Sequence, residues 1–191
     1  AAPRRGARMP VRVVPRADRE RTLLEAGVPA AFLRVVAGLS QRSDGLEWCF
    51  RDESVAYSYL SALEGESLQG APEEVRVLHD REITPLTTDM NGDTFLLLCR
   101  GGGQPTSFVD YGLEEGLCED YGSNFQLCLA NLLIFVYECC SEWSADQFVS
   151  VAEELGFARP RRLVEELMSS RRGTSEEDRA WRSRVLTGLV A

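Results

Sequence analysis

The sequence predicts an α+β fold: a mixed, mainly antiparallel sheet flanked by helices, with a C-terminal helical extension. Three observations predict it. Helical patterns come first, the clearest β signals lie in the middle, and helical patterns return at the end, with no strand-by-helix alternation. A turn at Asn91-Gly92-Asp93 leads into the apolar run Phe95-Leu96-Leu97-Leu98-Cys99, which suits a strand buried on both faces. Beyond Gly122 the period becomes helical, and Ser123/Gln126, Ser144/Gln147 and Thr174/Glu177 each have the spacing of a capping box.

In chain order, residues 1–17 are rich in Ala, Pro, Arg and Gly without a period and read as a flexible Arg-rich tail, or as a linker from a longer parent chain. Asp18 is placed to cap a short helix carrying Leu23 and Leu24, which Gly27 ends. Pro29 suits the first turn of a second helix with Phe32, Leu33 and Val36 inward. Leu46 to Phe50 reads as a short strand, and Ser54 as the cap of a helix with Val55, Tyr59, Leu60 and Leu63. Val75 to Leu78 and Glu82 to Pro85 are candidate short strands. Gly101-Gly102-Gly103 with Pro105 makes the turn after the apolar strand, and Thr106 to Tyr111 is its partner.

The long apolar helix should carry Phe125, Cys128, Leu129, Leu132, Phe135, Val136 and Cys139 on one face, widened by Leu127, Leu133 and Ile134. Three more helices follow. The first has Phe148, Val151, Ala152 and Leu155 inward and ends at Gly156. The second opens at Pro160 with Leu163, Val164, Leu167 and Met168, and the last has Trp181, Val185 and Leu189. The division expected is therefore a tail at 1–17, an α+β domain at 18–143, and a helical extension at 144–191 packed on that domain.

Composition bounds the function classes. The longest apolar stretch, Leu127 to Tyr137, contains Asn131 and falls far short of the roughly 20 residues of a bilayer span. The Arg-rich N-terminus lacks the apolar segment of a secretory signal. Cys49, Cys99, Cys118, Cys128, Cys139 and Cys140 form no Cys-x-x-Cys pair and read as free thiols of a reducing, cytoplasmic compartment. His79 is the only histidine, so a His-rich metal site is not available; it alone could serve a Cys nucleophile as base, but its polar neighbours read as a solvated loop. Asp89, Asn91 and Asp93 match the first ligand positions of a calcium loop, but Thr94 stands where Gly is needed and Arg100 where the bidentate Glu belongs, so turn chemistry is the better reading. The three glycines at 101–103 precede a Pro and a strand rather than a helix, which argues against a phosphate cradle. No catalytic residue, metal or cofactor is expected.

Charge is divided along the chain. Residues 1–21 carry seven Arg against two acids, and residues 159–191 carry eight Arg against five acids. Residues 101–158 carry ten acids and no base. Such a run is ordinarily a solvated face. The alternative is a protein-binding surface for a basic partner, which the density at Asp110, Glu114, Glu115, Glu119 and Asp120, beside Tyr111 and Tyr121, favours more than scattered acids would. The Arg-rich tail has no interleaved aromatics, so direct nucleic-acid binding is not expected.

Two segments resemble the SMI1/KNR4 (SUKH) superfamily. Gly27-Val28-Pro29-Ala30-Ala31-Phe32-Leu33 is similar to its early Leu-Pro and aromatic-Leu helix. Ile83-Thr84-Pro85-Leu86-Thr87-Thr88-Asp89-Met90-Asn91-Gly92-Asp93-Thr94-Phe95-Leu96-Leu97-Leu98 resembles its central Ile-Pro…Asp…Gly-Asp segment before an apolar strand. The order that follows, a strand, an acidic loop and Ser123-Asn124-Phe125 opening a long helix, is also similar. The resemblance covers roughly residues 18–143 and is that of a diverged member, since Gly38-Leu39-Ser40-Gln41 stands where the family often has Asn-Gly-Gly. It implies a non-enzymatic binder, many bacterial relatives being immunity proteins that neutralise toxins, often nucleases. The alternative it implies is a regulatory or scaffold subunit of a larger cellular or viral complex, in assembly or counter-defence.

Overall fold

The computed structural model describes residues 11–38, 46, 50–64, 75, 77–139, 142–169 and 174–190. The fold is α+β, with a mixed, mostly antiparallel sheet and helices that include the C-terminal ones. The chain divides into two compact units, Ala1–Ala26 with Arg51–Ser123, and Gly27–Phe50 with Asn124–Ala191.

The first unit holds the sheet. Its strands are β1 (Arg12–Val13), β2 (Phe50–Arg51, in which the boundary between units falls), β3 (Arg81–Asp89), β4 (Thr94–Gly101), β5 (Ser107–Gly112) and β6 (Gly116–Asp120). The order is β1-β3-β4-β5-β6, with β2 pairing β3 off that path. β1 runs parallel to β3, and the β3–β4, β4–β5 and β5–β6 pairs are antiparallel. Alternation along β4 sends Phe95, Leu97 and Cys99 to one face, where Tyr111 and Val109 lie in register with Phe95 and Leu97. Ala56 and Leu60 of α3 (Ser54–Glu64) join this core, and Tyr59 sets its ring 5.5 Å from that of Phe95. Leu96, Leu98 and Phe108, on the other face, are buried too, as a continuous apolar run requires of a strand covered on both sides.

Pro85 sits inside β3, where it cannot donate to the ladder. The register shifts between Pro85 and Thr87, which leaves Leu86 as a bulge. The carbonyls of Pro85 and Leu86 are satisfied by Arg19 of α1 (Arg16–Glu25), whose Nε donates to the first at 2.8 Å and Nη2 to the second at 2.6 Å. Glu53 lies 3.3 Å from the same guanidinium. The hairpin between β3 and β4 closes on Asp89, whose Oδ1 accepts the Asp93 and Thr94 N–H groups, while Gly92 takes φ +84°.

Several local expectations need correction. Residues 11–17 do not belong to a flexible tail. Val11 and Val14 are buried, Arg12–Val13 pairs with β3, and Arg16 donates to Ser54 Oγ at 2.6 Å. The apolar Val11/Val13/Val14 pattern outweighed the Pro and Arg around it. Pro15, not Asp18, precedes α1, and Asp18 lies in the first turn paired with Arg21 at 2.7 Å. Asp52, not Ser54, caps α3, accepting the Ser54 N–H at 2.8 Å. Residues 77–80 form a turn rather than a strand, with Leu78 N–H bonded to Val75 O. Of the strand expected at Leu46 to Phe50, residues 47–49 lie outside the described residues, as do residues 1–10 of the tail.

The second unit is helical: α2 (Ala30–Val36), α4 (Phe125–Cys139), α5 (Ala145–Glu154), α6 (Pro160–Ser169) and α7 (Ser175–Val190). It therefore joins α2 to the C-terminal helices across the intervening sheet segment. Phe32 of α2 meets Phe125 of α4 edge-on, with ring centroids 5.1 Å apart. Tyr137 meets Phe148 of α5 in the same way at 5.4 Å. The Ser144/Gln147 capping box forms in full, and so does Thr174/Glu177. The Ser123/Gln126 box does not. Asn124 Oδ1 accepts the Gln126 N–H, and the Gln126 side chain bridges to Gly156 O and the Ala158 N–H. On α4, Phe135 and Cys139 are exposed, and Ala130 takes a place in the buried face. Met168 of α6 is 68% exposed rather than inward.

Candidate acidic edge and polar cleft

β6 ends the sheet order, so its outer side is an edge. Register shifts between Asp110 and Tyr111: Asp110 faces Glu119 and Tyr111 faces Leu117, which leaves Cys118 as an extra residue in β6. Leu117, Cys118, Glu119 and Asp120 are all exposed in consequence, and Glu114 and Glu115 are exposed at the hairpin tip. These four acids have no ion-pair partner among the described residues. Asp120 Oδ1 accepts the Gly122 N–H at 2.8 Å. Charged side chains on an edge discourage pairing with an arbitrary strand, and here they present one sign of charge only.

The acid-rich run thus separates into two chemical situations. Glu138, on α4, is neutralised by Arg182 of α7, whose Nη2 reaches both carboxylate oxygens at 2.7 and 2.8 Å; Arg182 Nε also reaches Asp178 at 3.0 Å. The C-terminal basic segment therefore compensates part of the acidic block within the helical unit. The hairpin acids receive no such compensation among the described residues.

The structure places the candidate contact residues unequally. Glu114, Glu115, Glu119 and Asp120 form the exposed edge. Tyr111 does not belong to it: its side chain is fully buried, and its ring stacks on Phe95 with centroids 6.5 Å apart. Tyr121 is buried as well and donates its phenolic hydrogen to Asp110 Oδ2. Asp110 is half-buried. Burial raises its carboxyl to about 6, against the lowering effect of the Tyr121 hydrogen bond and with a further rise from nearby Glu119. Asn91, Gly92 and Asp93 form the β3–β4 turn described above.

His79 is buried, not solvated. The Cys99 and Cys128 side chains are buried and those of Cys118 and Cys139 are exposed. Burial pushes the Cys99 thiol up to about 12, which makes it a poor nucleophile. No group of three or more His, Cys, Asp or Glu suited to a metal occurs among the described residues.

One functional candidate carried no signal in the sequence. Arg81 opens β3, and its side chain is buried beside a cleft of about 370 Å³ lined also by Gln104, Pro105, Thr106, Ser107, Asp120, Gly122 and Ser123. Its Nη2 donates to Cys99 O at 3.1 Å, Pro105 O at 2.9 Å and Ser107 Oγ at 3.1 Å. Its Nε is buried without an acceptor, and no acid pairs with the guanidinium among the described residues. A lone Arg between a turn and a Glu-Ile-Thr-Pro strand reads as surface charge in the sequence. Only the folded β4–β5 hairpin, with the Cys99 and Pro105 carbonyls and the Ser107 hydroxyl, encloses it.

No helix of the described residues is long and apolar enough to cross a membrane. No protein-family model matches the chain, no curated protein matches it, and no solved structure matches it.

Proposed function

We propose that this protein is a non-enzymatic binding module that takes a basic protein partner on its acidic sheet edge. The observation that carries this reading is the contrast between Glu138, paired with Arg182, and the hairpin acids Glu114, Glu115, Glu119 and Asp120, exposed and without ion pairs among the described residues. Like charges held on one edge repel one another, and a cationic surface relieves that repulsion while the field accelerates docking. Leu117, 42% exposed between these acids, adds an apolar contact. Asp110, Tyr111 and Tyr121 support the edge from within rather than touching the partner.

The finer reading, an immunity protein that neutralises a nuclease-type toxin in the cytoplasm, is supported by the resemblance to the SMI1/KNR4 superfamily. A nuclease carries a basic substrate surface, and an acidic edge is complementary to it. The competing reading is a scaffold or regulatory subunit docked through the helical unit, which the exposure of Phe135 and Met168 favours. Affinity capture from the organism that makes the protein, followed by binding measurements on the purified pair at rising salt, separates the two. A one-to-one basic partner whose affinity falls with salt supports the edge reading. A salt-insensitive complex that survives charge reversal on β6 supports the scaffold reading.

A further inference from the structure

We infer that the Arg81 cleft binds a small zwitterion of the α-amino-acid type, its carboxylate on the Arg81 guanidinium and its ammonium on Asp120. The inference needs no protein partner, although it shares Asp120 with the acidic edge, and it rests on four features of the cleft. First, a guanidinium is nearly fully buried there and, among the described residues, is bonded only to neutral acceptors, through one nitrogen. A buried cation without a counter-charge is costly, and a ligand carboxylate removes that cost. Second, Asp120 lines the same cleft but forms no ion pair with Arg81, so two opposite charges stand across a space instead of cancelling. Third, polar residue types, Gln104, Thr106, Ser107 and Ser123, stand around the two charges, with Pro105 and aliphatic carbons supplying apolar wall between them. Such a lining selects a polar ligand over an apolar one. Fourth, the volume of about 370 Å³ lies at the small end of ligand sites.

Arg81 is also a structural clamp, since Nη2 ties the end of β4 to the start of β5. That clamp positions the guanidinium and leaves its remaining N–H groups for a carboxylate, which Arg recognises through paired donors. Asp120 in turn keeps one oxygen engaged with the Gly122 N–H, which holds the other toward a cation.

The test is a titration followed by amide chemical shifts of Thr106, Ser107, Gly122 and Ser123, using alanine, N-acetylalanine (no ammonium) and alaninamide (no carboxylate). Alanine is expected to give saturable shifts confined to these residues, with N-acetylalanine and alaninamide each about tenfold weaker or more. Asp120→Asn is expected to weaken alanine about tenfold and to leave N-acetylalanine unchanged. Glu114→Lys with Glu119→Lys, outside the cleft, is expected to leave alanine binding within twofold. Because Arg81→Gln removes the clamp and threatens folding, Asp120→Asn is the deciding variant. Absence of saturation with alanine overturns the inference, and so does equal binding of all three probes or an Asp120→Asn variant that binds alanine like the wild type.

Discussion

Asp110 Oδ2 accepts the phenolic hydrogen of Tyr121, joining the middle of β5 to the residue that follows β6. Burial raises the Asp110 carboxyl to about 6 despite that bond. Between its ordinary value near 3.8 and about 6, the folded state holds the proton more tightly than the unfolded chain. Stability attributable to this group therefore falls as pH rises through that window, and the penalty is complete above it. Asp110→Asn keeps an acceptor for Tyr121 and removes the charge. It is expected to be more stable than wild type at pH 7 by about 1–2 kcal/mol, allowing for solvent at a half-buried group, and equal to it below pH 4. Urea unfolding of both proteins across pH 3–8 measures the difference.

Phe32 and Phe125 hold α2 against α4 by an edge-on ring contact, and Phe32 is fully buried. Phe32→Ala is expected to cost about 3–5 kcal/mol through lost burial and a cavity. A lowered urea midpoint at constant slope is the expected readout.

Two glycines with the same φ of +84° separate backbone strain from crowding. A Cβ at Gly92 meets only Val55 Cγ1 at 3.5 Å, an ordinary contact, so Gly92→Ala is expected to cost the conformational term of about 1–2 kcal/mol. A Cβ at Gly156 meets the Pro29 ring at 2.8 and 2.9 Å, and that ring is rigid. Gly156→Ala is expected to cost about 1–3 kcal/mol more than Gly92→Ala. Thermal or urea unfolding of the two variants gives the comparison directly.

Alkylation mapped by mass spectrometry is expected to modify Cys118 and Cys139 in the native protein and to reach Cys99 and Cys128 only on unfolding. Native modification of Cys99 at a rate matching Cys118 contradicts the burial described above.

Signals carried by neighbours in sequence were legible. The Asn91-Gly92 turn, the two-sided apolar run of β4 and the capping boxes at Ser144 and Thr174 involve partners a few residues away, and each appears where the pattern put it. Signals that depend on distant partners were not. Ser123 and Gln126 have the same spacing as Ser144 and Gln147, yet Asn124 takes the cap and Gln126 is claimed by Gly156 and Ala158, thirty and thirty-two positions on. Pro85 reads as the end of a strand, but a bulge and the Arg19 guanidinium carry β3 past it. At the candidate site the acids were readable from charge density. The fate of Tyr111 and Asp110 was not, because the hairpin register decides which strand residues face the core, and the bulge at Cys118 shifts that register. Arg81 escaped notice because its acceptors, on β4, in the β4–β5 turn and at the start of β5, come together only in the folded sheet.

The central claim is that the exposed acids of the β5–β6 hairpin bind a basic protein. Its most direct test is the affinity of the captured partner for wild type and for the Glu114→Lys, Glu119→Lys double variant at 50 and 300 mM salt. Both residues are exposed and neither forms an ion pair among the described residues, so the variant should fold. The account predicts binding about tenfold weaker or more in the variant at low salt, with the gap narrowing at high salt as screening removes the long-range attraction. Equal affinity of wild type and variant at both salt concentrations contradicts it and leaves the acidic edge a solvated surface.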